Sequence, residues 1–542
     1  MGRVKLKLIG AASLSLISGC ALNPEPLLLE DRAAFAENLS TQIVRPNQEP
    51  IDKPIDLYEA MARAIKYNLD QRVELHESIL RNEEASTAHW ALLPQLVASS
   101  GYNKRNNFSG ASSTELLGPR EIGDPSLVSS TSSERSIFNA DLQATWNILD
   151  FGLSYIRAKQ ANDEYLIALE QRRRVINQII QEVRTVYWRA ASAERLLGRI
   201  RLLKTKTDEA LTESRALLAR KGTPPLAALT YQRELLSVKR EVQQLHREIA
   251  VAKAQLSALM NVPPNEGYSL VLPERLIPNF SAQTDLQKLT LMAFRNRPEM
   301  RELIYRGRIN DKERKAVLLE LLPSVELYGG ANYDSNDFLF NSNWLAWGAR
   351  VSWNLIQAIR VPQRLDEIQA RDQLVEYQSY ALGMAIMTQL HVAVWRYGFF
   401  RDEFSTAEEY SDVQNKIIKN IRVSANANTV SKQTLIREEM NDLLSELRFD
   451  IAHADLQNAF STIYTTIGLD PYKNDITEDN SVDTVAKSLR ELWLDRGDRS
   501  YKSSKLGFYQ RGGIFPLKKE ETISSNFPST KLHVGKEVNE AG

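Results

Sequence analysis

The sequence predicts an internally duplicated α+β fold, in which each of two copies supplies a helix, a pair of strands and a long helical hairpin. Three observations predict it. Asp56-Leu57 through Leu92-Leu93-Pro94 recurs as Asp285-Leu286 through Leu321-Leu322-Pro323 at an offset of 229 residues, and Trp146-Asn147 recurs as Trp353-Asn354 at 207. A drift confined to one place marks one unit written twice, with a loop 22 residues longer in the first copy. Apolar residues then alternate with period two after each Leu-Leu-Pro, and heptads follow in steps of three and four.

The N-terminus carries its own signal. Arg3, Lys5 and Lys7 precede an apolar stretch from Leu8 to Ile17, which reads as a secretory signal peptide. It ends Leu16-Ile17-Ser18-Gly19-Cys20, and Cys20 is the only cysteine, so no disulfide can form within the chain. No later run of 18 or more apolar residues exists, so a membrane role must come from strands. Lys+Arg and Asp+Glu are each 68, and a net charge of zero gives no case for nucleic acid.

Each copy opens with a helix, at about residues 56–91 and 285–320, broken early at Asn68 and Pro298. Proline ends each helix and biases the residue before it to extended geometry. In the first copy Leu96, Ala98, Ser100 and Tyr102 share a face, as do Phe138, Ala140, Leu142, Ala144 and Trp146. In the second, Val325, Leu327, Gly329, Ala331 and Tyr333 do so, as do Leu345, Trp347, Ala349, Val351 and Trp353. Segments of about 10 residues with one apolar face and aromatics near the ends fit transmembrane β-strands, and equally four strands of a soluble sandwich. Asn103–Ser136, which holds the 22 extra residues, and the shorter Asn332–Trp344 read as exposed loops.

Ile176, Ile179, Val183, Val186, Ala190, Ala193, Leu197 and Ile200 keep a coiled-coil beat on a helix expected from about Tyr155 to Arg220. Leu235, Val238, Val242, Leu245, Ile249, Ala252, Leu256 and Leu259 keep it on the return helix, after a turn at Lys221-Gly222-Thr223-Pro224-Pro225. The second copy repeats this from about Gln363 to Arg422, turning in Ala425–Ser431. Arg172-Arg173-Arg174 and Arg437-Glu438-Glu439 read as solvated helix faces. After Pro471 the pattern fades, with one short helix expected at Asp483–Leu494 and an irregular tail beyond.

Catalysis finds no support. The six histidines lie far apart without metal spacing, phosphate-binding glycine loops are absent, and each histidine is expected on a helix surface. No catalytic residue, metal site or cofactor is expected. Four strands cannot close a barrel around a lumen, and open edges are not tolerated in lipid. If these strands enter a membrane, three chains would supply twelve.

The ordered whole, from about residue 55 to 471, resembles the TolC-like outer-membrane efflux family, and the small residues before Cys20 resemble the lipobox of its lipoprotein branch. The resemblance implies a membrane α+β fold: a homotrimer whose 12-stranded outer-membrane β-barrel continues into a periplasmic α-helical coiled-coil barrel. It implies a lipidated Cys20 and a passive exit duct. The partners would be a periplasmic adaptor and an inner-membrane efflux pump or ABC transporter, with outer-membrane lipid around the barrel. Adaptor docking would fall on the hairpin tips, Lys221, Gly222, Thr223 and Pro224 in the first copy and Asn428, Thr429, Val430 and Ser431 in the second. Gly222 followed by Leu229 fits the family's turn, and Asn428 followed by Leu435 is its counterpart. Some members place aspartates past the second tip as an entrance constriction. Here Gln433 stands in that stretch, with Glu438 and Glu439 slightly later.

The implied division is a signal peptide at 1–19, a lipid-anchored linker at 20–55, a first repeat at 56–264, a connector at 265–284, a second repeat at 285–471 and a partly disordered tail at 472–542. The rival reading is an outer-membrane-anchored coiled-coil structural lipoprotein without a pore. A lipoprotein hydrolase lacks a site.

Overall fold

A computed structural model describes residues 26–43, 48–112, 114–119, 121–125, 129–219, 224–263, 267–272, 274–278, 280, 285–427, 429–472 and 480–498. After an isolated helix α1 (Leu29–Gln42), the first copy runs α2 (Leu57–Tyr67), α3 (Leu69–Trp90), β1 (Gln95–Lys104), β2 (Thr114–Gly118), β3 (Glu121–Pro125), β4 (Ser136–Asn147), α4 (Ile148–Ala219) and α5 (Pro225–Leu259). The second runs α6 (Leu286–Asn296), α7 (Pro298–Leu319), β5 (Ser324–Asp334), β6 (Asn343–Ser352), α8 (Leu355–Asn426) and α9 (Lys432–Thr466), and α10 (Val482–Asp495) follows.

The four long strands form one antiparallel sheet in the order β1-β4-β5-β6, so the β4–β5 pairing joins the two copies. Register puts Leu96, Leu142, Leu345 and Trp347 on one face, and Leu345 and Trp347 are more than four-fifths exposed. Among the described residues no second sheet covers that face, as a soluble sandwich would require. Asn139, Asp141, Gln143, Glu326 and Arg350 line the other face. The long loop is not wholly irregular: β2 and β3 pair as a separate two-stranded ribbon, a strand signal hidden because Leu116-Leu117 and Ile122 show no alternation among turn residues.

The Trp-Asn motif is the hinge from sheet to helix. Asn147 accepts from the backbone of Leu149 at 3.0 Å and Asp150 at 3.3 Å, and Asn354 from Ile356 at 3.2 Å. A cap directly after the strand starts each helix at once, earlier than the heptads alone predicted. Helix α8 also passes through Pro362, which interrupts one backbone bond without ending it.

Helices α4 and α8 each have 72 residues, about 108 Å at 1.5 Å per residue. The return helices have only 35, so the expected hairpins are lopsided. The remaining length of α4 is covered by α3 and α7, giving a single helical layer ordered α3-α4-α7-α8 near the sheet and α5-α4-α9-α8 toward the tips. Short helices meet end to end along this layer. Asn68 caps α3 and donates from Nδ2 to the Leu259 carbonyl that ends α5, at 3.1 Å. Each return helix closes with a left-handed residue, Asn261 (φ 53°) and Gly468 (φ 74°), 207 positions apart, with Val262 and Leu469 bonding back to Ser257 and Tyr464.

A belt packs over the middle of this layer. Ile55 bridges Leu270 in parallel, and the Tyr187 hydroxyl donates to the Ile55 and Val271 carbonyls at 3.1 and 2.8 Å. Part of the expected tail belongs to this core. Helix α10 lies on α2 and buries Val485, Leu489 and Trp493 because three apolar side chains four residues apart make one stripe. Residues 499–542, like the signal peptide and Cys20, lie outside the described residues.

Candidate functional site

The two hairpin tips lie at the far end of α4 and α8 from the sheet. Lys221, Gly222, Thr223 and Asn428 lie outside the described residues. Pro224 leads directly into α5, with Pro225 at the first helical position, where its missing N–H costs nothing. Beyond it Leu226 and Leu229 are exposed, an apolar spot at the first tip. At the second tip Thr429 folds back, its N–H and hydroxyl both donating to the Ser424 carbonyl at 3.0 and 2.8 Å. Ser431 caps α9, accepting from the Thr434 N–H at 3.1 Å, and Val430 is half-buried between them.

The tips are tied to each other within the chain. Gln433 donates to Glu234 on the other hairpin at 2.6 Å, and Lys432 lies 3.3 Å from Glu213. Further up, Lys206 holds Glu439 at 2.7 Å, Arg199 holds Asp442 at 2.5 Å and also Glu446, and Arg195 holds Asp450 at 2.7 Å. Positions 195, 199, 206 and 213 on α4 thus face 450, 446, 439 and 432 on α9 in strict antiparallel register. Glu438 accepts from Gln414 at 3.1 Å and from Asn441 at 3.3 Å. So Glu438 and Glu439, read from sequence as solvated, are largely covered and committed to inter-helix bonds. A helix packed on both sides leaves few truly solvated positions, and the signal was the heptad spacing of opposite charges on α4 and α9.

His453 corrects the expectation that the histidines lie on helix surfaces. It is buried with its ring 5.0 Å from Trp188 and 5.7 Å from Phe404, and desolvation pushes its pKa down to about 4. Among the described residues no group of three or more His, Cys, Asp or Glu side chains is placed to hold a metal ion, and no helix is long and apolar enough to cross a membrane.

What the geometry offers is an unclosed wall. Among the described residues, strands β1 and β6 each have one unpaired edge. Helix α8, at one side of the layer, presents Tyr377, Tyr380, Met384, Trp395 and Phe399 exposed at helical spacing. Helices α3 and α5, at the other side, present Val73, Leu80 and Leu236. Large apolar side chains left exposed along a helix, as on α8, mark a surface that another chain covers.

No family model and no curated protein matches this sequence. Solved structures match its fold. The Campylobacter jejuni CmeC outer membrane channel superposes with a TM-score of 0.59 at 12% identity, covering 85% of this chain and 96% of that one. The outer-membrane channel OprN gives 0.57 at 16%, covering 79% and 95%, and the open state of the Neisseria gonorrhoeae MtrE outer membrane channel gives 0.55 at 16%, covering 76% and 89%. At such identities the likeness is one of fold: this chain has the fold of these outer-membrane channels.

Proposed function

We propose that this chain is the outer-membrane exit duct of a tripartite efflux or type I secretion system. Three copies close into one cylinder, and substrates pass through it from an inner-membrane pump without chemistry in the duct. The observation that carries this reading is the open wall, with a free strand edge on each side, an exposed apolar stripe along α8 and exposed apolar residues on α3 and α5 opposite. Four strands are too few for a barrel, and two chains would give eight, whose interior side chains fill; twelve leave a lumen. Lipid tolerates no free edge, so closure through β1 of one chain against β6 of the next satisfies both. The apolar face of the sheet then meets lipid and its polar face lines water.

A signal peptide and lipidated Cys20 would anchor the chain at the outer membrane, and the helical cylinder would extend into the periplasm. The tips Lys221–Pro224 and Asn428–Ser431 would dock a periplasmic adaptor, with Gln433, Glu438 and Glu439 just inside the entrance. The exposed Leu226 and Leu229 support docking at the first tip, since a partner would take their apolar surface out of water. Docking is tested by Gly222→Pro and Lys221→Glu in the native host. Export is expected to fall about tenfold or more, the cost of roughly 1.4 kcal/mol at the contact, while the oligomer is unchanged in light scattering. Export at the normal level with both changes present would place docking elsewhere.

A further inference from the structure

The arginine run at 172–174 divides its labour. Arg173 is fully employed, donating to Asp470 at 2.5 Å, Glu170 at 3.1 Å and the Gly468 carbonyl at 3.0 Å. Arg174 lies at the edge of ion-pair reach, 3.9 Å from Glu302. Arg172 makes no ion pair among the described residues, and its Nε is shut off from solvent without a hydrogen-bond partner. A cation so placed points to an absent anion.

Arg172 lines a cavity of about 600 Å³ where the belt meets the helical layer. Lys66, Arg72, Arg173 and Arg301 share its wall, and the two carboxylates there are spent: Asp470 on Arg173, and Glu170 on Arg173 and on Arg301 at 2.8 Å. The lining is therefore five cations, of which Lys66 is itself held by Glu49 at 2.9 Å from outside the lining, against two acids. Two helices of 22 residues also begin at this cavity, α3 with Gln71 and Arg72 in its opening turns and α7 with Arg301. Their N-terminal dipole ends add positive potential, and Arg297 gives α7 no side-chain cap.

We propose that this cavity binds a small free polyanion bearing phosphate or carboxylate oxygens, with Arg172 as its principal ligand and Arg72 beside it. A lipid headgroup is not the source. Position 172 lies 24 residues along α4 from Ile148, roughly 36 Å from the sheet at 1.5 Å per residue. The guanidinium fork suits planar, bidentate capture of either oxyanion.

The test is calorimetric titration of the purified full-length protein in detergent at low salt, with sodium pyrophosphate and sodium citrate as separate probes. One site per chain is expected for at least one probe, weakened by raising KCl as screening requires. The probe that binds tells phosphate chemistry from carboxylate. Arg172→Gln is expected to weaken binding about tenfold or more without lowering the thermal midpoint, since no ion pair is lost. Arg172→Lys, which keeps the charge, is expected to recover part of it. Saturable binding of neither probe overturns the proposal. So does binding that survives Arg172→Gln together with Arg72→Gln.

Discussion

Gly468→Ala destabilises each chain by about 2–4 kcal/mol, the sum of a left-handed backbone penalty and a forced backbone displacement. Gly468 closes α9 at φ 74°, a conformation that L side chains adopt at a cost. A Cβ built there would sit 2.6 Å from the Arg297 nitrogen, 2.7 Å from the Asn296 carbonyl carbon and 2.9 Å from the Arg297 Cα. All three are backbone atoms, which cannot swing aside as a side chain would. The end of α9 and the start of α7 must therefore move apart, loosening the stacking that lets short helices cover a long one. The first copy offers the internal control. Asn261 holds the matching position at φ 53°, which Gly adopts freely, and Asn261→Gly is expected to change stability far less than Gly468→Ala. Thermal or denaturant unfolding in detergent reads both; equal midpoints for Gly468→Ala and the parent chain would remove the end-to-end stacking from this account.

Arg184→Met is expected to cost about 3 kcal/mol or more, because a buried carboxylate loses the cation that holds it. Arg184 and Asp498 are both fully buried and lie 3.2 Å apart, joining the middle of α4 to the chain just beyond α10. The guanidinium also lies 4.1 Å over the Trp493 ring, whose indole N–H donates to the Pro471 carbonyl at 3.2 Å. The pair therefore staples α10 and the residues beyond it to the helical wall. Arg184→Met with Asp498→Leu removes both charges and is expected to recover most of the loss. A double-mutant cycle separates the pair from the packing around it. Additive single losses would mean that the two groups do not act together.

Much of this architecture is legible in the sequence because repetition exposes it. Leu-Leu-Pro and Trp-Asn mark where helix becomes strand and strand becomes helix, and the structure shows Asn147 and Asn354 doing so as caps. Strand faces follow from alternation, which register preserves across all four strands. The sequence is silent where distant segments meet. The α4–α9 charge ladder needs two heptad patterns laid antiparallel, and neither pattern alone names its partner. Burial of His453 and of the Arg184–Asp498 pair comes from the belt, built from residues near 55, 270 and 490 that no local periodicity connects. Helix α10 was visible as a helix, but its docking surface was not. The ribbon β2–β3 has no sequence signal because an adjacent Leu116-Leu117 pair and a lone Ile122 cannot establish a period.

The central claim is that the open wall of one chain is closed by two more around water. Its most direct measurement is ion conductance of the purified protein in planar lipid bilayers, with the mass of the detergent-solubilised particle determined on the same preparation. The account predicts a particle of three chains that gives discrete, long-lived conductance steps. A monomeric particle without conductance would contradict it and favour a coiled-coil lipoprotein with no pore.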